Sequence, residues 1–274
     1  MNQLKTLYRE QTTVFNLPET IDEMDERSFR LLVKLSRANV LGQKFRSEIF
    51  MEMLKMANFQ HISLLKKEYN FDEISKKFTD FLLQNNDSPL LNCLIPTLFK
   101  NWKKLHGFGL LFSNLNFRQF RKAQCHAYEY AQTEDESELN LMIAWLYIPK
   151  KSLLFTDKRF TEASAIKRAK RISKLDIDTR FAIYTNFNQV RDSLKFKYPL
   201  TLLKSDEKQK FFGNNQEEID LEENFEDMIF TRSGGDITKD ELVDLSPCLD
   251  IFAHFESEAR DYKRQKEALD NAPK

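Results

Sequence analysis

Apolar residues recur at helical spacing along most of this chain, and the polar breaks between them predict where helices start and stop. In "DERSFRLLVKLSRANVL" Phe29, Leu32 and Val33 share one face, and in "QKFRSEIFMEMLKMANF" Phe45, Ile49, Met53 and Met56 do the same. Phe71, Ile74, Phe78, Phe81 and Leu82 continue the pattern until "NNDSP" ends it before Pro89. The N-terminal third therefore reads as helical. In the middle third, "FRQFRKAQCHAYEYAQT" sets Phe120, Ala123, Ala127 and Tyr130 in register, and "QTEDESE" breaks it. "LNLMIAWLYIP" follows, apolar nearly all round and too short to cross a bilayer, which predicts a central core helix stopped by Pro149. Ile177, Phe181, Tyr184, Phe187, Val190 and Leu194 form the next stripe, ended by "KYP".

After Leu203 the pattern changes. "KSDEKQKFFGNNQEE" reads as a linker or exposed loop, followed by "DLEENFEDMIF", a Gly-Gly break and a last helix starting near Ser246-Pro247. Leu249, Phe252, Phe255, Ala259 and Tyr262 make the buried face predicted for that helix, and its tail reads as frayed. The break in "TRSGGDITKDELVDLS" resembles half of an EF-hand loop, with Gly235, Ile237 and Glu241 at positions 6, 8 and 12. The leading ligand positions would then be Phe230, Arg232 and Gly234, which offer no side-chain oxygen. The stretch reads instead as punctuation: Gly234 and Gly235 stop one helix in left-handed geometry, and Thr238 with Glu241 forms a capping box for the next.

Composition supports the helical reading. Six glycines and seven prolines in 274 residues are few for a sheet protein, which spends both on frequent turns. The expectation is all-α: an irregular bundle of roughly eight to eleven helices, with room for a small C-terminal subdomain from about residue 205. Three widely spaced cysteines, with no zinc spacing and no signal-peptide pattern, suit reduced thiols in a cytosol and a soluble protein that is made where it works or carried out inside a particle.

The net charge of zero is a cancellation. Residues 205–274 hold nineteen acidic and nine basic residues, a net of −10, so residues 1–204 carry +10. Such polarity can dock one region on the other or align copies head to tail, and it raises the case for an anionic partner.

No catalytic constellation emerges. "HGFGLLF" lacks the third glycine of a phosphate loop, and the four histidines never fall at metal spacing. Cys125 and His126 are neighbours that point about 100° apart on a helix, which separates a nucleophile from its base. His254 reads as a partly buried packing residue. The reading is of a protein with no catalytic residue, cofactor or metal.

For nucleic acid, "KRFTEASAIKRAKRISK" carries seven basic residues against one acidic, with Lys167, Lys170, Arg171 and Lys174 on one stripe. Lys100, Lys103 and Lys104 around Trp102 form a second cluster. The plainer alternative is a solvated helix face whose charge answers the acidic C-terminal region.

"LNLMIAWLYIPKK" resembles a recurring element in tail-assembly chaperone-like proteins of tailed bacteriophages and related elements, particularly those of Bacteroidota hosts. There an apolar helix carrying "L-I-A-x-L-Y" precedes "R-P-K"; here Met142 to Lys150 match, with Ile148 where arginine is more usual. "DELVDLSPCLDIFAHFESEARDYKRQ", following an acidic helix and a glycine break, is similar to the C-terminal region of the same proteins. The resemblance implies a non-enzymatic helical protein that binds a helical tape-measure or tail component and guides tail polymerisation. The alternatives are a structural virion connector and a DNA-binding protein using the basic stripe. The residues singled out for a partner surface are Lys167, Lys170, Arg171 and Lys174 together with Phe252, Phe255 and Tyr262.

Overall fold

The computed structural model describes residues 2–8, 11–18, 20–37, 43–56, 70–79, 90–99, 104–149, 160–202 and 221–270. The fold is predominantly all-α, with eleven α-helices among the described residues. These are α1 (Glu26–Arg37), α2 (Gln43–Met56), α3 (Phe71–Thr79), α4 (Phe117–Thr133), α5 (Glu136–Leu146) and α6 (Glu162–Ile172). Then come α7 (Ile177–Lys197), α8 (Pro199–Leu202), α9 (Leu221–Ser233), α10 (Asp240–Asp244) and α11 (Cys248–Asp270).

Two small antiparallel sheets depart from the helical expectation. Strands β1 (Asn2–Tyr8) and β2 (Gln11–Leu17) pair from Asn2–Leu17 to Tyr8–Gln11, so the chain opens on a hairpin rather than a helix. Its second strand contains Thr12, Thr13, Val14 and Phe15, residue types that favour a pleated backbone. The other sheet has the order β3 (Thr97–Leu98), β4 (Leu105–His106), β5 (Ile148–Pro149). Pro149 sits on an edge strand, where its missing N–H breaks no inner ladder.

The helix α5 is the buried centre, as its all-round apolar sequence predicts. Leu139, Met142, Ile143, Ala144 and Leu146 are inaccessible to solvent. Its start is fixed by Asp135, whose carboxylate accepts from the Ser137 amide at 2.8 Å, after Glu134 has ended α4 in left-handed geometry (φ 55). Its end is served from outside. Gln119 Nε2 donates to the Trp145 carbonyl and Arg168 Nε to the Ala144 carbonyl, at 2.9 and 2.8 Å. Two last-turn carbonyls that the helix itself leaves unpaired thus receive buried donors from α4 and α6. The helix stops at Leu146, ahead of Pro149, because Tyr147 and Ile148 turn extended to enter β5.

Around this centre α4 packs on α5, α6 on α5, and α7 on both α5 and α1. The "HGFGLLF" stretch is packing, not a phosphate loop. A Cβ on Gly107 would lie 2.9 Å from the Tyr147 ring, and a 3-10 turn at Leu110–Phe112 follows Gly109. The last third joins the same core through aromatic rings. Phe252 of α11 meets Phe120 at 5.0 Å and Phe117 at 6.0 Å, and Phe225 of α9 meets Phe117 at 5.8 Å. The start of α11 is also fixed by backbone: Cys248 N donates to Leu115 O, and Phe117 N to Ser246 O. Although serine suits an N-cap, Ser246 does not cap α11; its hydroxyl turns back to Leu242 O at 2.8 Å, and the Pro247 carbonyl accepts the first helical bonds. The predicted stretches 80–89 and 204–218 lie outside the described residues, as do Lys100, Trp102 and Lys103.

Candidate protein-binding surface

The C-terminal region builds its surface from a chain reversal. After Ser233, Gly234 and Gly235 both take positive φ (70° and 74°), and Gly235 N donates to Phe230 O at 2.9 Å. The glycine pair therefore stops α9 as its sequence predicts. The capping box expected at Thr238 and Glu241 does not form. Asp236 caps instead, accepting from the Thr238 amide at 3.1 Å and from its hydroxyl at 2.6 Å, because a short 3-10 turn intervenes before α10. Those bonds hold the Asp236 carboxyl below its ordinary pKa.

The reversal leaves large apolar side chains facing water. Phe225 and Ile229 of α9 are buried, whereas Phe230, one residue on, is 60 % exposed and lies against Gly235. Ile237 and Leu242 are 79 % and 70 % exposed. Phe230 and Ile237 line one open cleft of about 570 Å³, bounded by α9, α10 and the flank of α4.

The rim of that cleft is acidic. Asp244 is buried and binds both guanidiniums of α4, Arg121 Nε at 2.8 Å and Arg118 Nε at 2.5 Å. Glu241 stands 3.7 Å from Arg118. Glu226, Asp227 and Asp240 also line the cleft and have no ion pair among the described residues. Asp240 Oδ1 is shielded from solvent yet receives no hydrogen bond. The cleft thus offers an apolar floor and unanswered carboxylates.

Among the described residues the basic stripe does not answer this acidity. Lys167, Lys170 and Lys174 are exposed, Lys174 lying beyond the end of α6, and none has an ion pair among the described residues. Ile166, beside them, is 45 % exposed. Arg171 leaves the stripe: half-buried, its guanidinium sits 4.8 Å over the Phe99 ring, a cation–π contact. The acidic region is held by Arg118 and Arg121 of α4 instead.

The residues expected on the last helix also separate. Phe252 is inaccessible, packed among Phe117, Phe120 and Tyr198, and has no surface to present. Phe255 is half-buried, and Tyr262 is exposed, on a stretch of α11 where every described side chain beyond Arg260 faces water. That stretch is steadied by its own pairs, including Glu256–Arg260 at 3.3 Å and Asp261–Arg264 at 3.5 Å.

Phe230, Ile237 and Leu242 were not singled out by periodicity, though a signal was there. Phe225, Met228 and Ile229 complete one helical face, which leaves Phe230 about 100° away from it. Elsewhere, His126 Nδ1 pairs with Glu138 at 2.7 Å rather than with Cys125, and His254 pairs with Glu258 at 3.1 Å beside the Phe255 ring. Among the described residues no three His, Cys, Asp or Glu side chains gather as a metal requires, and no helix is long and apolar enough to cross a membrane. No protein-family model, no curated protein and no solved structure matches this chain.

Proposed function

We propose that this chain is a non-enzymatic factor of phage morphogenesis, a tail-assembly chaperone that holds a helical tape-measure or tail component. The observation that supports this reading is the outward-facing Phe230 and Ile237 in an acidic-rimmed cleft, with Leu242 also exposed on α10. An aggregation-prone helix with an apolar stripe and flanking lysine or arginine matches that surface in shape and sign. Burying three such side chains contributes roughly 5–8 kcal/mol gross. Lost rigid-body freedom offsets at least about 4 kcal/mol of it. The contact is therefore reversible, as a chaperone that hands its client to a growing tube requires.

The test is co-expression with a helical tape-measure protein of a tailed phage. The expected result is a soluble client that co-elutes with the chain, and loss of co-elution in Phe230→Ala/Ile237→Ala/Leu242→Ala with the helical circular dichroism retained. A client that stays insoluble, or that co-elutes equally with the triple variant, overturns the reading. A structural connector is the second reading, and the exposed basic face of α6 favours it.

A further inference from the structure

The acidic cleft and the basic face of α6 are complementary, and neither is satisfied among the described residues. Each has an exposed apolar centre, Ile166 on α6 and the Phe230–Ile237 pair in the cleft. Each has flanking charges of opposite sign without ion pairs among the described residues: Lys167, Lys170 and Lys174 on one side, Glu226, Asp227 and Asp240 on the other. Within the chain α6 packs on α5, while α9 and α10 pack on α4, so the two faces are set on different elements.

We infer that copies of this chain bind head to tail, with Ile166, Lys167 and Lys170 of one copy seated in the cleft between α9 and α10 of the next. The contact is heterologous: each copy keeps one free cleft and one free α6 face, so the assembly either closes as a ring or grows as a filament. The charges set register and attraction, and the apolar centres exclude water between them. The inference rests on reading the cleft as a protein-binding surface, but it needs no client, so the two proposals fail separately.

The experiment is sedimentation velocity of the full chain over a concentration series at low and high salt, with two variants. Glu226→Lys/Asp227→Lys inverts the cleft, and Lys167→Glu/Lys170→Glu inverts the α6 face; all four positions are exposed, and circular dichroism checks the fold of each. The expected result is a concentration-dependent oligomer that weakens with salt. Each variant alone should associate at least about tenfold more weakly. An equimolar mixture of the two should associate again, because the inverted faces complement each other. The mixing step separates a defined pairing from a general effect of net charge. A chain that stays monomeric throughout, an oligomer indifferent to both inversions, or a mixture that does not recover overturns the inference. So does a monomer that binds duplex DNA through Lys167 and Lys170, which would assign those lysines to phosphate, or one whose cleft takes only the tail client.

Discussion

Arg121 Nε lies 2.8 Å from Asp244 Oδ1, a contact between positions 123 residues apart that fastens α10 to α4. Asp244 is 4 % exposed, and Arg118 reaches its second oxygen. Removing the carboxylate leaves two partly buried guanidiniums without the acid they share, which is more damaging than the loss of a surface pair. Asp244→Ala is expected to lower stability by about 3 kcal/mol. Denaturant unfolding at constant m-value measures it, and a loss under about 1 kcal/mol would show that the pair is solvated in solution.

Glu256 ties α8 to α11 in a different way. This carboxylate is 3 % exposed, and its Oε2 accepts from Leu200 N, Thr201 N and Thr201 Oγ1 at 3.0, 3.1 and 3.2 Å. It therefore caps the short helix α8 from a distant element, satisfying amides that four residues of helix cannot. Glu256→Ala is expected to cost about 2 kcal/mol, and Glu256→Gln, which keeps one acceptor, about 1 kcal/mol. Amide hydrogen exchange at Leu200 and Thr201 should rise in the same order; unchanged protection there would mean that α8 holds without its cap.

These two contacts also mark where sequence reading stops. Local pattern was enough for α5, because an all-round apolar run allows only a buried helix, and for the Gly234–Gly235 stop, because left-handed backbone is a property of single residues. The Phe29, Leu32 and Val33 face of α1 was legible for the same reason: periodicity is local. Asp244 and Glu256 look like ordinary solvated acids in the sequence, since their partners lie far away along the chain. Phe252 and Tyr262 belong to one predicted stripe, but the neighbouring elements cover only the first part of α11. Periodicity gives the direction a side chain faces and not how far the core extends beneath it. The opening hairpin escaped because a strand's partner is chosen by another segment.

Gly107 tests how rigid the centre is. A Cβ there would lie 2.9 Å from Tyr147 Cε1 and 3.0 Å from Cys93 Sγ. The ring has no room to retreat, being fully buried and held by the bond from its hydroxyl to Ile95 O. Gly107→Ala is expected to destabilise by about 1–3 kcal/mol through overpacking, although alanine is normally favoured over glycine in ordered backbone. A midpoint equal to or above the parent's would show that Tyr147 can shift. Combining it with Tyr147→Phe, which frees the ring from Ile95, should recover part of the loss.

The thiols give the pH dependence its alkaline side. Burial raises Cys93 from the ordinary 9.0 to about 11, and burial raises Cys248 to about 12. The folded chain keeps these protons where the unfolded chain has released them. Their contribution to stability is therefore complete below about pH 9 and is lost as pH rises toward 11 and 12. The unfolding midpoint should fall across that window, and Cys248→Ala should flatten part of the slope. At pH 8 a thiol with a pKa near 11 is thiolate in about one molecule in a thousand, so maleimide labelling of Cys93 and Cys248 should be at least about a hundredfold slower in the folded chain than after denaturation. Rapid labelling of either without denaturant would mean that the segment carrying it opens locally, and for Cys248 that would place the opening at the root of α11, where α11 meets Leu115.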